Sequence, residues 1–100
     1  MYMVNLLIWI IFMRNKNINI CLVCGYDSLD EPPYDEFGCS SFEICPCCGT
    51  EFGYDDSSVK HAELRGKWIN TGKKWWSNNV SKPEDWDAEK QLNNLLGTRK

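Results

Sequence analysis

The pattern Cys-x-x-Cys-Gly occurs twice in this chain, as CLVCG at residues 21–25 and as CPCCG at residues 45–49. A pair of cysteines at this spacing can place two thiolates on one side of a tight turn, and two such turns form a tetrahedral cage of four sulfurs. The glycine after each pair suits a turn that requires a positive φ angle. The sequence therefore predicts a metal site whose ligands are Cys21, Cys24, Cys45 and Cys48.

Two further cysteines and the single histidine lie outside this ligand pattern. Cys47 adjoins a predicted ligand, so its side chain should leave the turn in another direction and act as a small filler or weakly exposed thiol. Cys39 lies in a loop and is predicted to be free, with a redox pair of Cys39 and Cys47 as the alternative. His61 is interpreted as a surface or packing residue.

Length and charge limit the classes of function. A chain of 100 residues with 43% hydrophobic content predicts one small domain, and a structural metal commonly supplements so small a core. The formal net charge is −3, and four thiolates around a divalent ion would add about two negative charges. This balance disfavours a general role in coating nucleic acid or anionic membranes.

Acidic and basic residues are separated along the chain. Residues 27–56 contain acidic side chains and no Lys or Arg. In residues 57–82, most of the charged side chains are basic. Either the two segments pack together and neutralise each other, or the basic segment forms a separate face for a partner. Metal-ligand spacing and the lack of a convincing secretion signal argue against three disulfides and predict a reducing, cytoplasmic setting.

Residues 1–17 are predicted to be an N-terminal extension, and residues 18–97 a single cysteine-rich domain. The run at residues 1–13 is almost wholly apolar but shorter than the roughly 20 residues that a membrane-spanning helix needs. Met13 and the polar residues after it are typical of a translation start, so the start at Met1 is interpreted as mis-assigned. An extra strand or short helix and a membrane anchor are the alternatives.

The fold class predicted is α+β, with a small zinc-ribbon-like metal lobe of rubredoxin-like knuckles and a C-terminal helical, Trp-rich tail. Short alternating segments at residues 18–20 and 42–44 predict strands that lead into the two knuckles. A first helix is expected to be capped by Ser57 or Ser58 and to end at Gly72. A second helix is expected over residues 88–96, capped by Asp87.

Longer motifs resemble a known family. The Cys-Gly-Tyr of the first knuckle, LDEPPYDE at residues 29–36, EICPCCG at 43–49 and FGYDD at 52–56 are similar to the bacterial cysteine-rich CPCC domain family, and the resemblance covers roughly residues 20–96. It implies a small zinc-binding protein with no established activity. The chain departs from the family pattern at Leu22, where Pro is usual, and at Cys39-Ser40.

The knuckles are also similar to those of rubredoxin, which implies iron and electron transfer as the alternative function. Four thiolates accept either metal, so the type of ligand does not decide between them. The short separation between the knuckles and the Trp-rich tail favour zinc.

The sequence favours binding over catalysis. Four protein ligands close a tetrahedral site, as in structural zinc centres, and the common motifs of hydrolases and nucleotide-binding proteins are missing from the sequence. We therefore expect a non-enzymatic module with structural zinc and a protein partner. The tryptophans are predicted to cover the metal lobe; with the neighbouring lysines they could instead bind single-stranded nucleic acid, which is the further alternative.

Overall fold

The two Cys-Gly motifs fold into two turns with the same backbone hydrogen bonds, as seen in a computed structural model that describes residues 18–96. In each turn the first cysteine N–H donates to the carbonyl five residues later, and the glycine N–H donates back to that cysteine's carbonyl, at 2.7–3.0 Å. Gly25 and Gly49 have φ angles of 87° and 81°, a region that a Cβ atom makes costly. We name residues 21–26 the first knuckle and residues 45–50 the second knuckle.

The strands predicted at residues 18–20 and 42–44 do not form. Within residues 18–96, strand pairing is limited to two isolated antiparallel bridges, Tyr34 with Ser40 and Ile44 with Glu51. Phe42 has a φ angle of 58°, which breaks the extended conformation in the second of these segments. The described fold consequently contains two helices and little strand.

Helix α1 spans His61–Asn70. Its N-terminus follows Lys60 and has no side-chain cap, so the predicted serine cap is wrong. Gly72 ends the helix as predicted, with a φ angle of 103°. Its N–H donates to the Ile69 carbonyl and the next N–H, that of Lys73, donates to the Trp68 carbonyl, which is the Schellman pattern.

Helix α2 spans Ala88–Leu96, the bounds that the sequence predicts. Asp87 caps it, because its Oδ1 accepts the N–H groups of Glu89 and Lys90 at 3.0 and 3.2 Å. Leu92 projects from this helix against the core. The cap and the apolar residues explain why this segment is helical despite its short length.

The core is built around the sulfurs and contains the buried side chains of Val23, Leu29, Phe52 and Trp68. Trp75 and Trp86 are partly buried against it and meet edge to face at 5.7 Å between ring centroids. The prediction that tryptophans cover the metal lobe is therefore confirmed for three rings, whereas Trp76 is 56% exposed.

The apolar extension at residues 1–17 and Gly97, at the end of the predicted domain, lie outside the described residues. Neither helix within residues 18–96 is long and apolar enough to cross a membrane.

Candidate metal centre

The four predicted ligand sulfurs meet between the two knuckles. The Sγ atoms all lie within 4.8 Å of one another. Two contacts join one knuckle to the other, at 3.6 Å between Cys21 and Cys48 and 3.7 Å between Cys24 and Cys45. The fold thus brings together the four cysteines that the spacing singles out.

The size of this cluster fits a tetrahedral metal ion. A zinc–sulfur bond of about 2.3 Å in tetrahedral geometry separates the sulfurs by about 3.8 Å, close to the two short contacts between the knuckles. Iron also accepts four thiolates. The cluster can therefore hold a metal ion, and its geometry leaves the identity of that metal open.

Hydrogen-bond donors surround the sulfurs. The Cys48 thiol itself donates to Thr50 Oγ1 at 3.2 Å. The N–H groups of Val23 and Cys24 both donate to Cys21 Sγ at 3.4 Å. Such donors stabilise the thiolate form that a metal requires. Three of the four cysteines are fully buried, whereas Cys48 is half-buried.

The sulfurs strongly perturb one another's ionisation. Hydrogen bonding with Cys21, reinforced by burial, raises the pKa of the Cys24 and Cys45 thiols, whereas hydrogen bonding with Cys21 lowers the pKa of Cys48. Several thiolates this close together need a compensating positive charge, because like charges in a buried site repel strongly. A bound divalent ion would supply that charge and displace the thiol protons.

The remaining candidates are not members of this four-sulfur cluster, although Cys47 is hydrogen-bonded with Cys24. Cys47 is fully buried, and its Sγ accepts a hydrogen bond from Gln91 Nε2 at 3.2 Å, so it fills space beneath helix α2. Cys39 is exposed, and all six cysteines are unpaired, so the structure contains no Cys39–Cys47 disulfide. His61 packs beside the Phe52 ring with 6.2 Å between centroids and pairs with Asp56 at 2.7 Å, in agreement with its interpretation as a packing residue.

Sequence reasoning missed the network around Asp56, which lies in the acidic segment of residues 27–56. The Asp56 side chain is only 1% exposed and accepts hydrogen bonds from the Tyr34 hydroxyl at 2.5 Å and the Gly53 N–H at 2.7 Å. Burial opposes ionisation of Asp56, but hydrogen bonds from Tyr34 and His61 lower its pKa. The bond to Asp56 raises the pKa of Tyr34 to about 12.

The residues that close the first knuckle were also missed. Arg65 donates to the carbonyls of Leu22 and Val23, both at 2.8 Å. From helix α2, Gln91 Nε2 donates to the Cys24 carbonyl at 3.1 Å, and Asn94 Nδ2 donates to the Gly25 carbonyl at 2.8 Å. Polar residues on the inner side of a predicted helix were the available signal, but nothing in the sequence indicated their targets.

The second knuckle is held mainly by main-chain groups, in addition to the hydrogen bond from Gln91 to Cys47. The N–H groups of Trp76 and Ser77 donate to the carbonyls of Cys47 and Pro46 at 2.9 and 2.8 Å. The Trp76 ring lies against Gly49, where an added Cβ would approach the indole to 2.7 Å. Both knuckles are therefore clasped by the C-terminal half of the chain.

Comparison with known proteins identifies two uncharacterised relatives from Bacillus subtilis (strain 168). YoaQ is 33% identical over 76% of this chain and 74% of its own length. YozI is 45% identical over 36% of this chain and 31% of its own length, so the chain spans about a third of that relative. No family model matches the chain, and no solved structure matches it. The extent of the first match shows that this chain belongs to the same family as the uncharacterised protein YoaQ.

Proposed function

We propose that this protein binds one structural zinc ion through Cys21, Cys24, Cys45 and Cys48 and serves as a protein-interaction module. The observation that carries the metal proposal is the four-sulfur cluster, whose cross-knuckle contacts of 3.6 and 3.7 Å match a tetrahedral zinc–thiolate site. The paired knuckles support membership of the CPCC domain family and a zinc-ribbon-like lobe. A reducing, cytoplasmic compartment is consistent with six unpaired cysteines.

A structural role for the ion follows from the closed ligand set and the small core. Four protein ligands complete the tetrahedron and leave no position for a reacting water or substrate, which is the usual arrangement of structural zinc. The apparent binding energy of zinc in small domains, roughly 10–16 kcal/mol, is comparable to the whole stability of a domain of this size. We therefore assign the protein to binding rather than catalysis.

The surface that supports a protein partner lies over the second knuckle. Ile44, Trp76 and Val80 are 44%, 56% and 46% exposed and line one groove together with Pro46; we name these four residues the knuckle patch. Exposed apolar side chains gathered around an aromatic ring are typical of protein interfaces.

The charges around the knuckle patch favour a protein over nucleic acid. Asp30 and Glu43 line the same groove, and carboxylates there would repel a phosphate backbone. Among the lysines near the tryptophans, Lys73 pairs with Glu89, and Lys82 lies 5.6 Å from the centroid of the Trp86 ring. These two lysines are already engaged within the fold.

The metal proposal is tested by elemental analysis with a visible spectrum, on protein expressed without added metal. We expect one zinc per chain and no visible absorption. One iron per chain with charge-transfer bands would overturn zinc and make electron transfer the proposed function. A folded chain that contains neither metal would contradict the metal site itself.

The interaction proposal is tested by affinity capture from a host extract with two matched variants. Ile44→Asp and Val80→Asp together place charge in the knuckle patch, whereas Phe37→Asp changes a side chain that is 83% exposed and outside that patch. A partner retained by the wild type and by Phe37→Asp, but lost from the double variant, is the expected result. Equal capture by all three proteins would exclude the knuckle patch as the interface.

A further inference from the structure

The four ligand residues differ in their exposure to solvent. Cys21, Cys24 and Cys45 are fully buried, whereas Cys48 is half-buried and lines a pocket of about 240 Å³. Thr50, Lys67 and Trp68 also line this pocket, which lies between the second knuckle and helix α1. A water molecule needs roughly 30 Å³ of volume, so the pocket can admit a molecule as small as hydrogen peroxide.

We propose that Cys48 is an oxidation site, at which a hydroperoxide that enters this pocket oxidises the thiolate and causes the centre to release its metal. The inference rests on the proposed function, because a metal-bound cysteine is a thiolate and the thiolate is the nucleophilic form. Because all four metal-bound ligands are thiolates, their charge does not distinguish them. Their exposure to solvent does, and it favours Cys48. The chain would then respond to peroxide by losing the ion that holds its two knuckles together.

The first step oxidises one sulfur. The Cys48 thiolate attacks one oxygen of hydrogen peroxide, so that an S–O bond forms, the O–O bond breaks, and hydroxide leaves and takes up a proton to become water. Sulfur loses two electrons, and the peroxide is reduced by the same two. The product is a sulfenic acid at Cys48.

The second step uses the neighbouring sulfur on the other knuckle. Cys21 Sγ lies 3.6 Å from Cys48 Sγ and can attack the sulfenic acid, so that the S–S bond forms, the S–O bond breaks, and a second hydroxide becomes water. Two thiolates, one peroxide and two protons thus give one disulfide and two waters. The metal ion loses two of its four ligands and dissociates.

The experiment follows zinc release and thiol oxidation in the full chain after addition of hydrogen peroxide. The Cys39→Ser background removes the exposed cysteine, which would otherwise consume reagent without affecting the metal. We expect a sulfenic-acid probe to label Cys48 first, zinc to be released in step with that oxidation, and peptide mapping without the probe to find a Cys21–Cys48 disulfide. First labelling at Cys24 or Cys45, or oxidation of Cys48 with zinc retained, would overturn the inference.

A pair of variants tests the same site without removing a ligand. A metal-bound thiolate carries no proton, so the Thr50 hydroxyl, 3.2 Å from Cys48 Sγ, would donate to it and reduce its reactivity. Thr50→Val removes this donor and should make peroxide-driven zinc release several-fold faster, whereas Thr50→Ser keeps the hydroxyl and should react at the wild-type rate. A Thr50→Val protein that reacts no faster than the wild type would count against Cys48 as the point of attack.

Metal content measured before peroxide is added separates this inference from the proposed function. A folded chain that contains no metal contradicts the proposed function. A zinc-loaded chain that resists peroxide, or is oxidised first at a buried ligand, contradicts the present inference alone.

Discussion

The two knuckles share one backbone pattern and differ in what covers them. Side-chain donors from both helices close the first knuckle, through Arg65, Gln91 and Asn94. The second knuckle is held by the main chain of residues 76–77, and one of its cysteines, Cys48, remains partly accessible. Two knuckles with the same Cys-x-x-Cys-Gly pattern thus differ in solvent exposure, because different segments of the chain pack against them.

This difference shows that the grouping of the ligand sulfurs and the solvent exposure of each cysteine have separate causes. The spacing within each motif determines that two sulfurs share one side of a turn, and it does so equally in both knuckles. The residues that pack over each turn determine which cysteine is exposed to solvent. The helices that stabilise the fold are therefore also the elements that control access to its metal.

The largest expected effect comes from removing a ligand from either knuckle. Cys24→Ser and Cys48→Ser should each abolish stoichiometric metal binding and leave the metal lobe unfolded, because the metal contributes energy comparable to the whole stability of the domain. Metal analysis and thermal melting of the purified variants measure both effects. Equal loss from both knuckles would show that their different exposure does not make either one dispensable.

Cys47→Ser is the matched control within the second knuckle. Its sulfur is not one of the four in the cluster and is hydrogen-bonded with Cys24 and Gln91, to which a serine hydroxyl can also bond. We expect wild-type metal content and a small decrease in melting temperature. Loss of metal from Cys47→Ser, or wild-type metal content and melting in Cys48→Ser, would refute the ligand assignment.

The glycines of the two knuckles offer the next comparison. An alanine Cβ at Gly25 would overlap the main-chain carbonyl oxygen of Gln91, whereas at Gly49 it would meet the Trp76 ring at 2.7 Å. Trp76 is exposed and can swing aside, but the carbonyl moves only with helix α2. We expect Gly25→Ala to cost about 2–5 kcal/mol in unfolding free energy and Gly49→Ala about 1–2 kcal/mol.

Gly38→Ala isolates the backbone contribution to this comparison. Gly38 has a φ angle of 82°, and an added Cβ there would have no atom within 4 Å. Chemical denaturation of the three alanine variants should therefore show a much larger loss of unfolding free energy for Gly25→Ala than for Gly49→Ala. The loss for Gly49→Ala should be close to that for Gly38→Ala. Equal losses at Gly25 and Gly49 would mean that helix α2 is held no more rigidly than the Trp76 ring.

The metal cluster, the C-terminus of α1 and the N-terminus of α2 were predictable because their signals are local. Cysteine spacing places sulfurs within a single turn, and Asp87 and Gly72 act on backbone groups a few residues away. The strand predicted at residues 42–44 failed because Phe42 adopts a positive φ angle that alternation of apolar residues does not reveal.

The hydrogen bonds from Arg65, Gln91 and Asn94 to the first knuckle were not predictable from the sequence. Arg65 reaches the Leu22 carbonyl across 43 residues, and Asn94 reaches the Gly25 carbonyl across 69. The exposure of Cys48 depends in the same way on chain that follows it by about twenty residues in α1. Contacts between residues so far apart in the sequence arise from tertiary packing, and motif spacing carries no information about them.

Arg65→Met directly tests the hydrogen bonds that the Arg65 side chain donates to the first knuckle. The variant retains the aliphatic stem but loses both hydrogen bonds to the first knuckle, and we expect it to lose about 1.5–3 kcal/mol of unfolding free energy. Zinc should also pass to a competing chelator faster than from the wild type. Glu63→Met, an exposed change on the same helix and outside the pocket beside Cys48, is the control; similar behaviour of the two variants would show that the Arg65 hydrogen bonds contribute little.

The smallest expected effect concerns the anchor beyond the second knuckle, where Tyr34 donates to the buried Asp56. Because this bond raises the pKa of Tyr34 to about 12, its stabilisation is fully present below about pH 10, the value for an unperturbed tyrosine, and is lost as the pH rises through 12. Wild-type protein should exceed Tyr34→Phe by about 1–2 kcal/mol in unfolding free energy at pH 8, and the two should converge near pH 12.

Measuring on the alkaline side avoids the acid range, in which protonation of the thiolates would itself release the metal. Tyr54→Phe changes a residue that is 70% exposed and should follow the wild-type profile throughout. A constant difference between wild type and Tyr34→Phe from pH 8 to 12 would mean that the hydroxyl acts through packing and not through its bond to Asp56. Convergence would show instead that the second knuckle, which receives fewer side-chain hydrogen bonds than the first, is followed by a contact that depends on one ionisable pair.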